Sequence, residues 1–226
     1  MNILIISGHN DLNNSVANAA ILDETARQLP EAEVRKLDAL YPDYRINVEA
    51  EQEALRKADL IVWQFPFYWY SLPALMKKWL DEVFVHGFAH GSTAVLGGKK
   101  FLVSFTTGAP AEFYTGKEGS VGDIHHMIEM FSATAMLCRL DYQGAMWLNG
   151  VSYANRQTEE AIRQQQAEAR KYAGKLIARI KEINRQGLIS CPNTDTKSGC
   201  TCDTTIVSTG ASAFFVPSAL WSLKSG

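Results

Sequence analysis

Three uninterrupted apolar runs constrain this chain more than any other feature of it. Ile3-Leu4-Ile5-Ile6, Leu60-Ile61-Val62-Trp63 and Phe101-Leu102-Val103, the last resumed by Phe105, leave no alternate position for a solvent-facing side chain. A strand made of such a run must be covered on both faces, as in a parallel sheet held between helical layers. The runs close on Ser7-Gly8, on Pro66 and on Thr106-Thr107-Gly108, residues suited to turns and hydroxyl chemistry. Between them the apolar period changes to that of a helix. Ala19, Leu22, Ala26 and Leu29 predict a helix that Asn13-Asn14-Ser15 can start and Pro30 ends. Residues 49–57 predict a second helix, and Leu72, Met76, Trp79 and Val83 a third.

The remaining elements complete the pattern. A more polar strand is expected over 33–37, near a sheet edge, followed later by a helix over about 123–136 and a strand over about 142–148. Ile162, Ala169, Ala173, Leu176, Ile180 and Ile183 share one face of a long final helix. Strands alternating with helices predict the α/β class, here a three-layer sandwich around a five-stranded parallel sheet in the order 2-1-3-4-5. In such a sheet a ligand binds at the carboxyl ends of strands one and three.

Charge excludes one large class of partner. With 22 Lys and Arg against 24 Asp and Glu, the chain has no basic excess to displace counterions, so no nucleic acid is expected. Met1-Asn2 leads directly into the first apolar run with no basic leader, and no apolar stretch is long enough to span a membrane. A cytoplasmic protein is expected. Residues 185–226 hold five charged residues and 13 Ser or Thr among 42, with no clean period. A folded domain is therefore expected over 1–183 and a C-terminal extension of unknown role over 184–226. Cys138 stands alone in an apolar stretch and reads as a small buried hydrophobe, whereas Cys191, Cys200 and Cys202 belong to the extension. No fourth ligand accompanies these three, and His125-His126 has no partner at metal spacing, so no metal is expected.

Three loops carry the unusual residues. In the first, His9 follows the strand, and Ser15, Val16, Ala17 and Asn18 open a helix whose free N–H groups make an anion site. No G-x-G-x-x-G and no Walker A lysine is present there. In the second, Pro66 is followed by Phe67-Tyr68-Trp69-Tyr70, four aromatics in a row that cannot all point into a core. Such a cluster suits a flat apolar ligand or a partner surface. In the third, Thr106 and Thr107 supply hydroxyls and Gly108 permits close approach of the backbone. Tyr114, further along this loop, is placed to donate a proton or orient a substrate carbonyl. His86, His90 and Gly91 suggest a flexible loop over a site.

At these residues the chain resembles the flavodoxin-like NAD(P)H:quinone oxidoreductases, including the bacterial modulator-type reductases. It looks especially close to the ancillary reductase of the glutathione-gated potassium-efflux system. The resemblance rests on His9, on Ser15-x-Ala17-Asn18, on Ala50-Glu51-Gln52-Glu53-Ala54-Leu55, and on Ala58-Asp59-Leu60-Ile61-Val62-Trp63-Gln64-x-Pro66-x-x-Trp69-Tyr70-Ser71-x-Pro73. It continues through Lys78-Trp79-Leu80-Asp81, His86-Gly87-Phe88-Ala89 and Thr106-Thr107-Gly108. The resemblance implies FMN, with His9 and Ser15 to Asn18 on its phosphate and ribityl chain, and Pro66 to Trp69 and Thr106 to Ala109 around its isoalloxazine. It also implies NAD(P)H as the reducing substrate, a quinone as acceptor in a ping-pong cycle, and a homodimer. Tyr114 matches the tyrosine of the family's proton relay, Ser120 stands near the position of its histidine, and Ala109 replaces a usual glycine. Other roles compatible with the resemblance are a regulatory subunit docked on a membrane potassium-efflux transporter, peripheral to the inner membrane, and a flavodoxin-like electron carrier.

Overall fold

The computed structural model describes residues 1–189, with side chains through Gln186. Its strands are β1 (Ile3–Ser7), β2 (Glu33–Lys36), β3 (Leu60–Pro66), β4 (Lys100–Thr106) and β5 (Asp141–Leu148). They form one parallel sheet in the order β2-β1-β3-β4-β5, as the alternation of elements predicts. Seven helices accompany it among the described residues: α1 (Ala17–Gln28), α2 (Leu37–Leu40), α3 (Val48–Lys57), α4 (Ala74–Val83), α5 (Ile124–Met127), α6 (Glu129–Leu137) and α7 (Glu159–Ile189).

The apolar runs explain the layering. Successive strand residues point to opposite faces. Ile3, Ile5, Leu60, Val62 and Leu102 therefore pack on Ala17, Ile21, Ala173, Leu176 and Ile180 of α1 and α7. Their alternates Leu4, Ile6, Ile61, Trp63, Phe101, Val103 and Phe105 pack on the other face, with Leu55, Met76, Trp79 and Phe131. Trp63 crosses Phe101 edge-on at 4.7 Å and Trp79 at 6.1 Å, so that face is largely aromatic. β2 is half exposed, as an edge strand should be.

That aromatic layer encloses one carboxylate. Glu51 on α3 is fully buried and accepts from Arg35 Nε and Nη2 (2.9 and 2.6 Å), from Trp79 Nε1 (2.9 Å) and from Tyr41 OH. It thereby ties β2, α3 and α4 together. Glu51 holds the Arg35 guanidinium above its ordinary pKa, and burial followed by Glu51 raises that of Tyr41.

Two elements differ from their expected form. The single helix expected over 123–136 is broken at Ile128 (φ −92°, ψ 0°) into α5 and α6. Asp123 caps α5 through His125 N–H, and the Phe131 N–H bonds to the Ile128 carbonyl at 3.0 Å, a tighter turn that carries Phe131 into the core. The third helix begins at Ala74, after Pro73, so Leu72 is buried from the preceding loop. The strand pair β4–β5 carries a bulge, with two residues of β5 opposite Leu102, and Gly144 (φ +91°) absorbs it.

The chain from Met1 to Cys191 is one compact unit, and α7 runs across position 184 to Ile189. The rest of the extension, with Cys191, Cys200 and Cys202, lies outside the described residues. Cys138 is buried, and burial pushes its thiol up to about 11. No helix among the described residues is long and apolar enough to cross a membrane.

Candidate functional site

A cleft of about 390 Å³ opens at the carboxyl ends of β1, β3 and β4. Its wall is made by the three loops singled out in the sequence and by a fourth, after β5.

The first loop turns at Gly8, where a Cβ would lie 2.2 Å from Met76 Sδ, so α4 requires glycine there. His9 follows, 8% exposed. The Asp11 N–H donates to His9 Nδ1 at 3.0 Å, which leaves the ring proton on Nε2. Burial lowers the His9 pKa below its ordinary value, against opposing contributions from Asp38 and Asp11. The imidazole is therefore a neutral Nε2–H donor at neutral pH. Asp38 also accepts from the Leu12 N–H at 2.7 Å, which fixes the course of the loop.

Ser15 is extended (φ −94°, ψ 126°) and its Oγ accepts from the Asn18 N–H at 3.1 Å. It caps α1, which leaves the N–H groups of Val16 and Ala17 without protein acceptors at the positive end of a 12-residue helix. The carboxylate on this wall, Asp11, is engaged by Asn14 Nδ2 at 2.5 Å.

The second loop contributes Pro66, Phe67 and Tyr68 to the wall. Phe67 is buried beside Phe105, with ring centroids 4.8 Å apart, and Tyr68 meets His9 edge-on at 6.2 Å. Trp69, expected beside them, is instead 89% exposed and stands off the cleft wall. The reason is local. Trp69 (φ +48°) and Tyr70 (φ +62°) are both left-handed, and the Ser71 N–H closes the turn on the Tyr68 carbonyl at 3.0 Å. This is a type I′ turn, which glycine and asparagine normally occupy; two aromatics there store backbone strain of about 1–2 kcal/mol per residue. The turn carries the indole out into solvent.

The third loop contributes Thr106, Thr107 and Gly108. A Cβ on Gly108 would meet nothing nearer than Ser152 at 3.9 Å, so its missing side chain answers no packing demand and widens the cleft. Thr107 Oγ1 donates to the Ala109 carbonyl (2.9 Å) and to Asn149 Oδ1 (2.8 Å), so this hydroxyl braces neighbouring loops. The N–H groups of Gly108 and Ala109 have no protein acceptor. Ala109 keeps a negative φ, which is why alanine is tolerated where a glycine is usual. Tyr114 ends a short 3-10 turn (Ala111–Tyr114), nearly buried among the core aromatics, and does not line the cleft.

The fourth loop was missed in the sequence. Its backbone is zipped to the third loop, with Val151 N–H donating to the Thr107 carbonyl and Gly150 N–H to that of Ala109, each at 3.0 Å. It brings Val151, Ser152, Tyr153 and Arg156 to the wall. Arg156 donates from Nε to Gln165 Oε1 (2.8 Å) and from Nη1 to the Asn14 carbonyl (3.1 Å), leaving Nη2 unclaimed beside the start of α1. Burial lowers its pKa slightly within a range where arginine stays charged. The available signal was topological. β5 lies beside β4, so the loop leaving it converges on the same crevice, and Arg156 is the first cation after that strand.

Other candidates lie elsewhere. The segment with His86 and His90 is anchored by buried Phe88, Ala89 and Leu96 and lines no part of the cleft, so it does not cover the site. His125 and His126 are exposed, His125 crossing Trp147 at 5.6 Å. A larger hollow of about 530 Å³ lies at the other end of the sheet, near Met1, Asp59 and Gly98. No helix begins on its wall, and Lys99 there is spent on the carbonyls of Arg56 and Ala58. The cleft thus offers an anion end, built by α1, His9 and Arg156, and an apolar end with free backbone donors.

Comparison with known proteins agrees with this geometry. A family model described as flavodoxin-like fold matches residues 1–173. The general stress protein 14 of Treponema denticola, solved in complex with FMN, is 32% identical with a TM-score of 0.69, covering 79% of this chain and 99% of its own. A structure from Streptomycin violaceusniger described as a thermophilic tryptophan halogenase is 33% identical, TM-score 0.64, covering 75% and 97%. An NADPH-quinone reductase from P. pentosaceus is 25% identical, TM-score 0.59, covering 76% and 98%.

Proposed function

Because the chain belongs to the family of flavodoxin-like fold, we propose that it is an FMN-dependent oxidoreductase that passes hydride equivalents from NAD(P)H to a quinone. The similar structures carry different printed activities, and fold alone does not choose among them. The observation that carries the reading is the two-ended cleft. A phosphate monoester fits the free N–H groups of Val16 and Ala17, the Ser15 hydroxyl, His9 Nε2–H and the Arg156 fork. A planar apolar ring fits the end walled by Pro66, Phe67 and Tyr68, against Thr106, Thr107, Gly108 and Ala109. FMN has both parts, joined by a polyol chain.

When bound, FMN supplies the acceptance and release of hydride. The protein's work is placement. The α1 end and Arg156 fix the phosphate and so set the register of the ring. The N–H groups of Gly108 and Ala109 offer donors toward negative charge developing at the ring end of the cleft. The zipped third and fourth loops hold those donors rigid. NAD(P)H and then the quinone take the same open slot in turn, a ping-pong order. Trp69 supports a second element of the reading, a homodimer. An indole held out by a strained turn at the rim of the site suits a contact that completes the slot from a second copy. A monomeric mass by light scattering would remove that element.

Titration with FMN and with riboflavin tests the cleft assignment. FMN is expected to bind at one per chain and at least about a hundredfold more tightly than riboflavin, about 2.7 kcal/mol, as several charge-assisted bonds should give. Equal binding of the two, or a protein that takes up neither, contradicts the assignment.

A further inference from the structure

A line of hydrogen bonds passes through the sheet beneath the cleft. Ser104 Oγ donates to Gln64 Oε1 (2.5 Å), Gln64 Nε2 to Asn18 Oδ1 (2.8 Å), and Asn18 Nδ2 to Thr106 Oγ1 (3.0 Å). At the far end Tyr172 OH, on α7, lies 2.7 Å from Ser104 Oγ. All five side chains are buried. Asn18 and Thr106 line the cleft, whereas Ser104 and Tyr172 do not.

The line has a direction. Ser104 has one hydroxyl proton, committed to Gln64, so the phenol must be the donor in the Tyr172–Ser104 contact. Tyr172 has no other acceptor among the described hydrogen bonds. If every bond were reversed, each link could still form except one: the phenol proton would be left in the dry interior with nothing to receive it. The closed end therefore selects the polarity of the whole line. At the open end Thr106 Oγ1 accepts from Asn18, and its own proton has no acceptor in the protein. Thr107 next to it differs, because its proton is spent on Ala109 and Asn149.

We propose that Tyr172 is a positioning residue: by setting the direction of the Ser104–Gln64–Asn18 line, it presents the Thr106 hydroxyl to the cleft as a hydrogen-bond donor for an acceptor atom of the flavin. This rests on the FMN reading above. Thr106 touches the ligand, and Tyr172 acts through three intervening side chains without touching it. In the Tyr172→Phe protein the ring still packs, but neither direction is preferred, so Thr106 donates only part of the time.

FMN titration of the parent, Tyr172→Phe, Thr106→Val and the double variant tests this, with the visible absorption band of bound FMN as a second readout. Thr106→Val is expected to weaken FMN binding about tenfold, and Tyr172→Phe about threefold. The double variant is expected to match Thr106→Val alone to within a factor of about two, because the two changes remove one interaction. The band in Tyr172→Phe should move toward its position in Thr106→Val. Ser104→Ala, which cuts the line without altering the phenol ring, should reproduce Tyr172→Phe. A double variant weaker than Thr106→Val by the full Tyr172→Phe factor would show independent packing and overturn the inference. So would a Tyr172→Phe protein with the parent's affinity and spectrum. Failure of the parent itself to bind FMN would overturn the functional reading instead, and this inference with it.

Discussion

Glu51→Ala is expected to lower the unfolding free energy by about 3–5 kcal/mol, the range for removing one member of a buried ion pair. Four donors converge on the Glu51 carboxylate, from Arg35, Trp79 and Tyr41, and the substitution strands them together in a place water does not reach. The loss is mostly the cost of unpaired partners and only secondarily the strength of the pair. Arg35 can swing toward Glu33, already 3.0 Å away and half exposed, which recovers part of the charge cost and sets the lower bound. The Trp79 indole has no such escape because its ring is fully buried. Glu51→Gln keeps an acceptor for Trp79 and should lose about half as much. Urea unfolding followed by tryptophan fluorescence measures both; a Glu51→Ala protein within about 1 kcal/mol of the parent would mean that water or the chain compensates the stranded donors.

Arg156→Ala is expected to weaken FMN binding about 10- to 100-fold while leaving riboflavin binding nearly unchanged. The guanidinium is held by Gln165 and by the Asn14 carbonyl with Nη2 left over, and a phosphate at the start of α1 can accept from it. A charge-assisted bond of this kind contributes about 1.5–3 kcal/mol, which is the fold-change stated. Riboflavin distinguishes a lost phosphate contact from a collapsed loop. If removing Arg156 let the fourth loop fall away from Thr107 and Ala109, the ring end would suffer as well and both ligands would weaken together. Arg156→Lys should recover only part of the affinity, because lysine keeps the charge and loses the fork.

How much of this was legible depended on the reach of each signal. The strands and their order follow from local composition, because an unbroken apolar run such as Leu60–Trp63 has one stable environment. The anion end was legible because Ser15 is a capping residue beside a strand end, a relation spanning a few positions. Arg156 was not legible in that way: it reaches the cleft from about 140 residues beyond Asn14, through a loop whose placement is a matter of sheet order. Glu51 sits in a charged helical stretch, Glu49 to Lys57, where periodicity cannot tell a solvated carboxylate from one enclosed by Arg35 and Trp79. Trp69 was placed in the cleft on residue type, and a turn with two left-handed residues put it outside. The break at Ile128 arises from packing Phe131, which no local propensity in 123–136 announces.

The central claim is a flavin site that takes electrons from one partner and gives them to another in separate steps. The direct measurement is anaerobic. The FMN-loaded protein is mixed with NADH or NADPH, the nucleotide is removed, and a quinone is added while flavin absorbance is followed. The account predicts bleaching by at least one nucleotide with the quinone absent, then full recovery of the colour with one quinone reduced per flavin. Flavin that stays oxidised with both nucleotides, or that bleaches but is not reoxidised by any quinone, would contradict it.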